Sequence, residues 1–223
     1  MNASQRRRLL LAAALAAYLL ALWVLWPTPV VYPLKIFVVF LHELSHALAA
    51  VATGGEVASI SLDAREGGAT WVRGGSRFIT LSAGYLGSLL WGLALLAVAR
   101  FRPRLARAAV QALGMLTLLA TLVYVRGFFG LAFGLLFGFA LFAAGRRLQP
   151  DSAALLLGIL GLTSAVYALL DIRSDILLRP GALSDAALLA QLTGIPAILW
   201  GLLWGVVAIA ATALMFHRLW RAR

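Results

Sequence analysis

The segment His42-Glu43-Leu44-Ser45-His46 contains the residue types from which a metal-dependent hydrolase site is built. Two histidines four positions apart lie on one face of a helix, so both imidazoles can bind the same metal ion. The glutamate after the first histidine can reach a metal-bound water and accept its proton. We therefore predict His42 and His46 as metal ligands, Glu43 as the catalytic base and Zn²⁺ as the cofactor.

The motif lies in an apolar run, from Val30 to Thr53, that is long enough to cross a bilayer. Ionisable side chains are costly at that depth, which indicates that they have a function there. The simpler alternative is a polar cluster that joins helices by hydrogen bonds. Hydroxyl and amide groups can do that without three ionisable side chains, so the metal site is the better interpretation.

The composition excludes most soluble protein classes. Hydrophobic residues make up 63% of the chain and charged residues 12%, and the mean hydropathy is +0.95. These values predict an all-α polytopic membrane protein whose main partner is the lipid bilayer. The net charge is +11, but the arginines fall at the ends of apolar segments, so we expect no nucleic-acid partner. The chain has no cysteine, so any metal must be held by nitrogen and oxygen atoms.

About seven transmembrane helices can be drawn within a single domain covering residues 1–223. The first follows an arginine triplet, Arg6 to Arg8, but has no convincing small-residue cleavage site, so we expect a retained helix rather than a signal peptide. The predicted spans are 9–26, 30–52, 79–98, 105–124, 127–144, 153–171 and 194–216.

The segment 54–78 has a different pattern. Two short alternating runs, 57–62 and 67–72, are separated by charged and glycine residues, which predicts a β-hairpin directly after the motif helix. Such a hairpin is expected to lie over the site or to dip toward it. Its edge strand could accept an extended substrate by strand addition, or it could be a plain connection.

The next span contains the sequence Ser82-Ala83-Gly84-Tyr85-Leu86-Gly87-Ser88, with small residues four positions apart. Small residues at this spacing let two helix backbones approach closely. We therefore expect this span to pack tightly beside the motif helix.

A catalytic zinc site with two histidines needs a third protein ligand. The remaining histidine, His217, falls in an interfacial C-terminal tail on the opposite side by the span count. The second and sixth predicted spans end on the same side, which brings Asp171 to the depth of the motif. Asp175 lies one turn further on and could bind the metal or orient a histidine. Asp185 follows Ser184, which is a normal helix cap. We predict Asp171 as the third ligand, with Asp175 and Asp185 as alternatives.

Taken together, these residues resemble the site-2 protease class of intramembrane zinc metallopeptidases, the M50 family, and more narrowly its M50B-like branch. The resemblance implies zinc bound by His42 and His46, Glu43 as general base and an aspartate from a later span. The Pro-Asp-Gly sequence that usually carries this aspartate does not occur here. The matching sequences are His42 to Ala50, Gly54-Gly55, Gly67-Gly68, Ala83 to Ser88, Asp171 to Asp175, Ser184 to Ala186, Thr193 to Pro196 and Trp200.

The leading functional hypothesis is a zinc metalloendopeptidase that cleaves transmembrane protein substrates within or near the bilayer. A membrane metal-binding or assembly protein that retains the zinc site is the main alternative. A transporter is a third, but the ionisable groups cluster at one depth and leave no relay across the membrane. The resemblance and the arginine triplet favour a cytoplasmic N-terminus, and the composition favours a bacterial plasma membrane.

Overall fold

The computed structural model describes residues 3–26, 28–173 and 184–221. These residues form eight α-helices and three short strands. In chain order the elements are α1 (Ala3–Leu25), α2 (Tyr32–Ala52), β1 (Glu56–Leu62), β2 (Gly68–Arg73), α3 (Arg77–Phe101), α4 (Ala106–Tyr124), β3 (Val125–Arg126), α5 (Phe128–Arg147), α6 (Pro150–Arg173), α7 (Asp185–Thr193) and α8 (Ala197–Arg221).

Six of the described helices are long and apolar enough to cross a membrane: α2, α3, α4 with its preceding turn, α5, α6 and α8. This confirms the predicted class, a polytopic all-α membrane protein with a hairpin after the motif helix. The predicted first span falls in α1, whose described apolar segment is the shorter Ala12–Leu25. The segment between α6 and α8 contains a helix, α7, that was not predicted as a span and is only nine residues long.

Helix α2 is the centre of the fold. In its most apolar stretch 72% of the residues are buried, against 17–50% for the other five candidate spans. The side chains from Ile36 to Leu41 are almost completely inaccessible, and all of them except Val38 belong to the main apolar core. Gly54 follows the helix with φ +83°, a conformation that glycine adopts without strain. The motif residues are therefore held on the most enclosed helix of the bundle.

The predicted hairpin is confirmed, and it belongs to a three-stranded sheet. Strands β1 and β2 are antiparallel, with a register shift between Val57 and Ser59. Strand β3, between α4 and α5, pairs in parallel with β1 through Ile60 and Val125. The strand order is β2-β1-β3, so β1 is central and β2 is an edge strand of the sheet in the described part of the chain.

The hairpin lies back along α2 rather than projecting away from it. Midway along, the Thr70 hydroxyl oxygen lies within hydrogen-bond distance, 2.9 Å, of the backbone carbonyl oxygen of Glu43. At the tip, the Lys35 ammonium donates to the Glu66 carboxylate over 2.9 Å. Glu66 has φ +66°, which is uncommon for a residue other than glycine. The hairpin therefore follows α2 from its end almost to its first turn.

Helix α3 packs against both α2 and α6 through small residues. A side chain at Gly87 would collide with Ser45 of α2, as the sequence pattern led us to expect. Further along, Gly92 fits against the backbone of Gly161 and Ala165 in α6. Close backbone approach at both places brings α2, α3 and α6 together around the motif.

Candidate active site

The two motif histidines face the same point. Their rings lie 4.8 Å apart, centre to centre, and are inclined by 75°. His46 is buried, and His42 is only slightly exposed. This is the arrangement expected for residues four positions apart on one helical face.

Asp185, the first residue of α7, completes a group of three candidate ligands. Its Oδ2 atom lies 3.1 Å from Nε2 of His42 and 3.2 Å from Nε2 of His46. The Ser184 side chain accepts a hydrogen bond from the Ala187 amide, which confirms Ser184 as the helix cap. The cap fixes the start of α7 and so directs its first side chain toward the histidines.

The other nitrogen of each histidine faces an oxygen atom. Nδ1 of His46 lies 2.7 Å from the backbone carbonyl oxygen of Thr80. A carbonyl can only accept a hydrogen bond, so Nδ1 of His46 carries a proton and Nε2 is the nitrogen that faces Asp185. Nδ1 of His42 lies 3.5 Å from Oδ2 of Asp171. Both rings therefore present Nε2 to the same place.

Asp171, the residue predicted as third ligand, does not belong to this group. Among the described residues, the candidate metal-binding group consists of His42, His46 and Asp185, whose ligand atoms all lie within 4.8 Å of one another. The Asp171 carboxylate approaches the opposite side of the His42 ring. Asp175, the alternative, lies outside the described residues.

The Asp185 carboxylate is strongly influenced by its neighbours. Burial alone would raise its pKa, but the imidazoles of His46 and His42 outweigh burial and lower the pKa below its usual range. The carboxylate is therefore held as an anion, which is the form that binds a cation.

Gly84 leaves room for two of the candidate ligands, His42 and Asp185. A side chain at Gly84 would collide with both the Nε2 atom of His42 and the Oδ2 atom of Asp185. The sequence pattern suggested helix packing here, but the glycine also leaves space next to the two candidate ligands. The sequence carried no separate signal for that second role.

Glu43 lies beside the ligand group and is held by strand β2. The Thr70 hydroxyl donates to Oε2 of Glu43 over 2.7 Å, and Gly68 lies close against the same carboxylate. Glu43 is only 6% exposed, although its carboxylate faces a cavity. Neither Thr70 nor Gly68 stood out in the sequence as a contact of the predicted base.

A cavity of about 710 Å³ opens onto these residues. One wall consists of the edge strand β2 and the other of the starts of α3 and α7 with the end of α6. The ionisable side chains of the site lie along its lining: His42, Glu43, His46, Asp171 and Asp185. Its size is in the range of natural ligand sites.

The donor set is suited to zinc. Two imidazole nitrogens and one carboxylate oxygen are a usual protein ligand set for catalytic zinc, which leaves one position for water or substrate. Asp185 is in the anionic form that metal binding needs, and the proton on Nδ1 of His46 leaves Nε2 as the nitrogen that would bind a metal. Because position 84 is glycine, no side chain at that position obstructs the ligand atoms of His42 and Asp185. The residues of the site therefore fit a Zn²⁺ ion.

Residues 15–215 match the profile of the Peptidase M50B-like family. The chain belongs to this family. The match covers most of the chain, including the motif helix, the hairpin, Asp171 and Asp185. Together with its apolar helices, membership of the M50B-like family identifies an integral membrane protein of a peptidase family. Comparison with curated proteins and with solved structures gives no match.

Proposed function

We propose that the protein is a zinc-dependent endopeptidase that hydrolyses peptide bonds of transmembrane proteins within or beside the bilayer. One observation carries the proposal: His42, His46 and Asp185 converge beside Glu43 at the wall of a cavity. Membership of a peptidase family supports the reaction class. The apolar helices that surround the site support a substrate embedded in the membrane.

For the metal ligands we propose His42, His46 and Asp185, with Asp185 as the third ligand in place of Asp171. Asp171 then acts on His42 from the far side of the ring. A carboxylate near Nδ1 favours the tautomer with the proton on that atom, so that Nε2 is available to the metal. In the same way, the Thr80 carbonyl keeps a proton on Nδ1 of His46 and leaves Nε2 to the metal.

Zn²⁺ held by these residues would polarise the scissile carbonyl and lower the pKa of a water molecule toward neutrality. Glu43 accepts the proton of the attacking water at its carboxylate. It then donates this proton to the amide nitrogen as the C–N bond breaks. The balance is the addition of one water across one peptide bond, with Glu43 returned to its initial state.

Strand β2 is the proposed binding edge for the substrate. An extended peptide can add to an edge strand through main-chain hydrogen bonds, which accept many side-chain sequences. A transmembrane helix must first unwind locally, because its carbonyl groups are engaged in internal hydrogen bonds. Strand β2 lines the cavity next to Glu43, so a peptide paired with it would lie beside the base.

The test is to compare wild type with Glu43→Gln, using a pooled library of single-span transmembrane peptides in bicelles. We expect wild type with zinc to cleave members of the library. We expect Glu43→Gln to retain zinc and to cleave about 10²–10⁴-fold more slowly, because the general base is lost. Products are identified by mass spectrometry and zinc by elemental analysis. The matched control is Glu56→Gln, an exposed hairpin glutamate away from the cavity lining.

Wild type that binds zinc but cleaves no peptide would support the non-proteolytic metal protein instead. Cleavage by Glu43→Gln at the wild-type rate would exclude the proposed role of the glutamate.

A further inference from the structure

The Glu43 side chain touches a second element besides its own helix, the edge strand β2. Thr70 Oγ1 lies 2.7 Å from Oε2 of Glu43 and 2.9 Å from its backbone carbonyl oxygen. We infer that Thr70 is a positioning residue for the general base, through which β2 fixes the Glu43 carboxylate at the cavity wall. The inference rests on the proposed function of Glu43.

A glutamate on a helix has three side-chain torsions, and its carboxylate must be fixed before it can accept a proton from a water in one place. A hydrogen bond from a hydroxyl to a carboxylate is short and strong, which makes it an effective constraint. Thr70 is a good donor for this purpose, since the β-branch restricts its own first torsion.

Thr70 also has a way to accommodate both protonation states of the base. Its hydroxyl carries one hydrogen but has two acceptors on Glu43. While Glu43 is a carboxylate, the hydroxyl donates to Oε2. When Glu43 carries the proton, the hydroxyl can turn its hydrogen to the backbone carbonyl and accept from the carboxylic acid.

A second contact independently joins β2 to the base. The backbone of Gly68 approaches so closely that a side-chain carbon there would lie 2.6 Å from Oε1 of Glu43. Gly68 and Thr70 are two residues apart on a strand, so they face the same side of the sheet. Strand β2 therefore donates a hydrogen bond to one oxygen of the Glu43 carboxylate and lies close beside the other.

The first test is kinetic and uses any peptide that wild type cleaves in the library described above. Thr70→Val keeps the shape but removes the hydroxyl, and we expect kcat to fall about tenfold with KM and zinc content unchanged. Thr70→Ser restores the hydroxyl, and we expect it to recover most of the activity. Thr212→Val is the matched control, because the Thr212 hydroxyl has no hydrogen-bond partner among the described residues. A wild-type kcat in Thr70→Val, or equal losses in Thr70→Ser and Thr70→Val, would overturn the inference.

The second test needs neither substrate nor metal. The chain has only three glutamates, at positions 43, 56 and 66, so ¹³C-labelled glutamate gives three side-chain carboxyl signals. The signal lost in Glu43→Gln belongs to Glu43. We expect this signal to shift in Thr70→Val and to return toward its position in Thr70→Ser, while the other two stay fixed.

An unmoved Glu43 signal in Thr70→Val would refute the contact, even in an active protease. A protein without any cleavage activity would refute the proposed function, and the carboxyl signal would still decide whether Thr70 holds Glu43.

Discussion

His42 is placed between two carboxylates, one at each ring nitrogen. Asp185 lies at Nε2 and Asp171 at Nδ1. An imidazole gives a metal only one nitrogen at a time, so the two aspartates cannot have the same role. His46 shares Asp185 and has a backbone carbonyl at its other nitrogen. Asp185, which lies at both histidines, is therefore the proposed ligand. Asp171, which lies at Nδ1 of His42, is the proposed orienting group.

Removing each carboxylate should separate these roles. We expect Asp185→Asn to lose zinc, because one of three ligands is gone. We expect Asp171→Asn to keep the site but to bind zinc about 10–100-fold more weakly, because only the orientation of His42 is affected. Competition with a fluorescent zinc chelator measures both. Asp151→Asn, an exposed aspartate in the first turn of α6, is the control. A greater loss of zinc from Asp171→Asn than from Asp185→Asn would instead support Asp171 as the ligand.

A substitution at Gly84 gives a second test of the proposed metal site. Alanine at this position would place a methyl group against His42 and Asp185, so the ligand atoms could not keep their positions. We expect Gly84→Ala to reduce zinc occupancy while the protein remains folded. Gly158→Ala is the control, since a side chain at Gly158 meets open space. Full zinc occupancy in Gly84→Ala would contradict the proposed site.

The sequence brings the two histidines together more directly than it selects among the aspartates. The i, i+4 spacing is a local property, so the histidines could be placed on one face directly. Asp171 and Asp185 lie on either side of the same connection, and a span count brings both to one end of the bundle. The choice depends on how α6 and α7 pack, which no local pattern records.

At the scale of elements, the hairpin is attached to α2 at its tip as well as along its length. The Lys35 side chain is 5% exposed and pairs with Glu66. Lys35 also lies 4.9 Å from the centre of the Trp26 ring. The Tyr32 hydroxyl donates to the backbone carbonyl of Ala64 over 2.9 Å. These contacts hold the turn of the hairpin against the start of the helix.

Glu66→Gln should loosen this tip. The substitution removes the charge that partners a buried ammonium, and the half-exposed position of Glu66 makes the effect moderate. We expect trypsin to cleave after the neighbouring Arg65 about fivefold faster, because the turn opens more often. Mass spectrometry of timed digests gives the rate at this one bond. Glu56→Gln, at the start of β1, should leave the cleavage rate after Arg65 unchanged. Cleavage of Glu66→Gln at the wild-type rate would argue against the attachment.

The hairpin could be predicted, but the third strand could not. Alternation of side chains and paired glycines mark β1 and β2 locally. Strand β3 has only two residues, which fall in the short connection between the predicted spans 105–124 and 127–144. Its pairing with β1 depends on where the α4–α5 pair docks. Two residues are too few for any periodic pattern to show.

At the scale of the whole molecule, the site joins four helices that are distant in the sequence. Helix α2 supplies the histidines, α7 supplies Asp185, α3 supplies the Thr80 carbonyl and α6 supplies Asp171. A metal bound here would hold α2 and α7 together directly. Because it binds the folded arrangement, it should stabilise the entire bundle.

Zinc removal should therefore lower the melting temperature. At a free zinc concentration of about 100 times Kd, binding contributes about 2.7 kcal/mol, which corresponds to a shift of about 5–10 °C for a chain of this size. We expect a chelator to cause this loss in wild type and to have little effect on Asp185→Asn. Differential scanning fluorimetry in detergent measures both. An equal chelator effect in the two proteins would place the metal elsewhere.

The position of the edge strand also bears on hydration. Hydrocarbon offers no hydrogen bonds to water. Strand β2 lines the cavity beside Glu43, and the amide and carbonyl groups on its outer edge have no strand partner in the described sheet. Before any peptide binds, these groups can form hydrogen bonds to a chain of water molecules that leads to the buried motif. A substrate that pairs with β2 would displace these water molecules. Binding to the strand would therefore remove water from the cavity around the reacting bond.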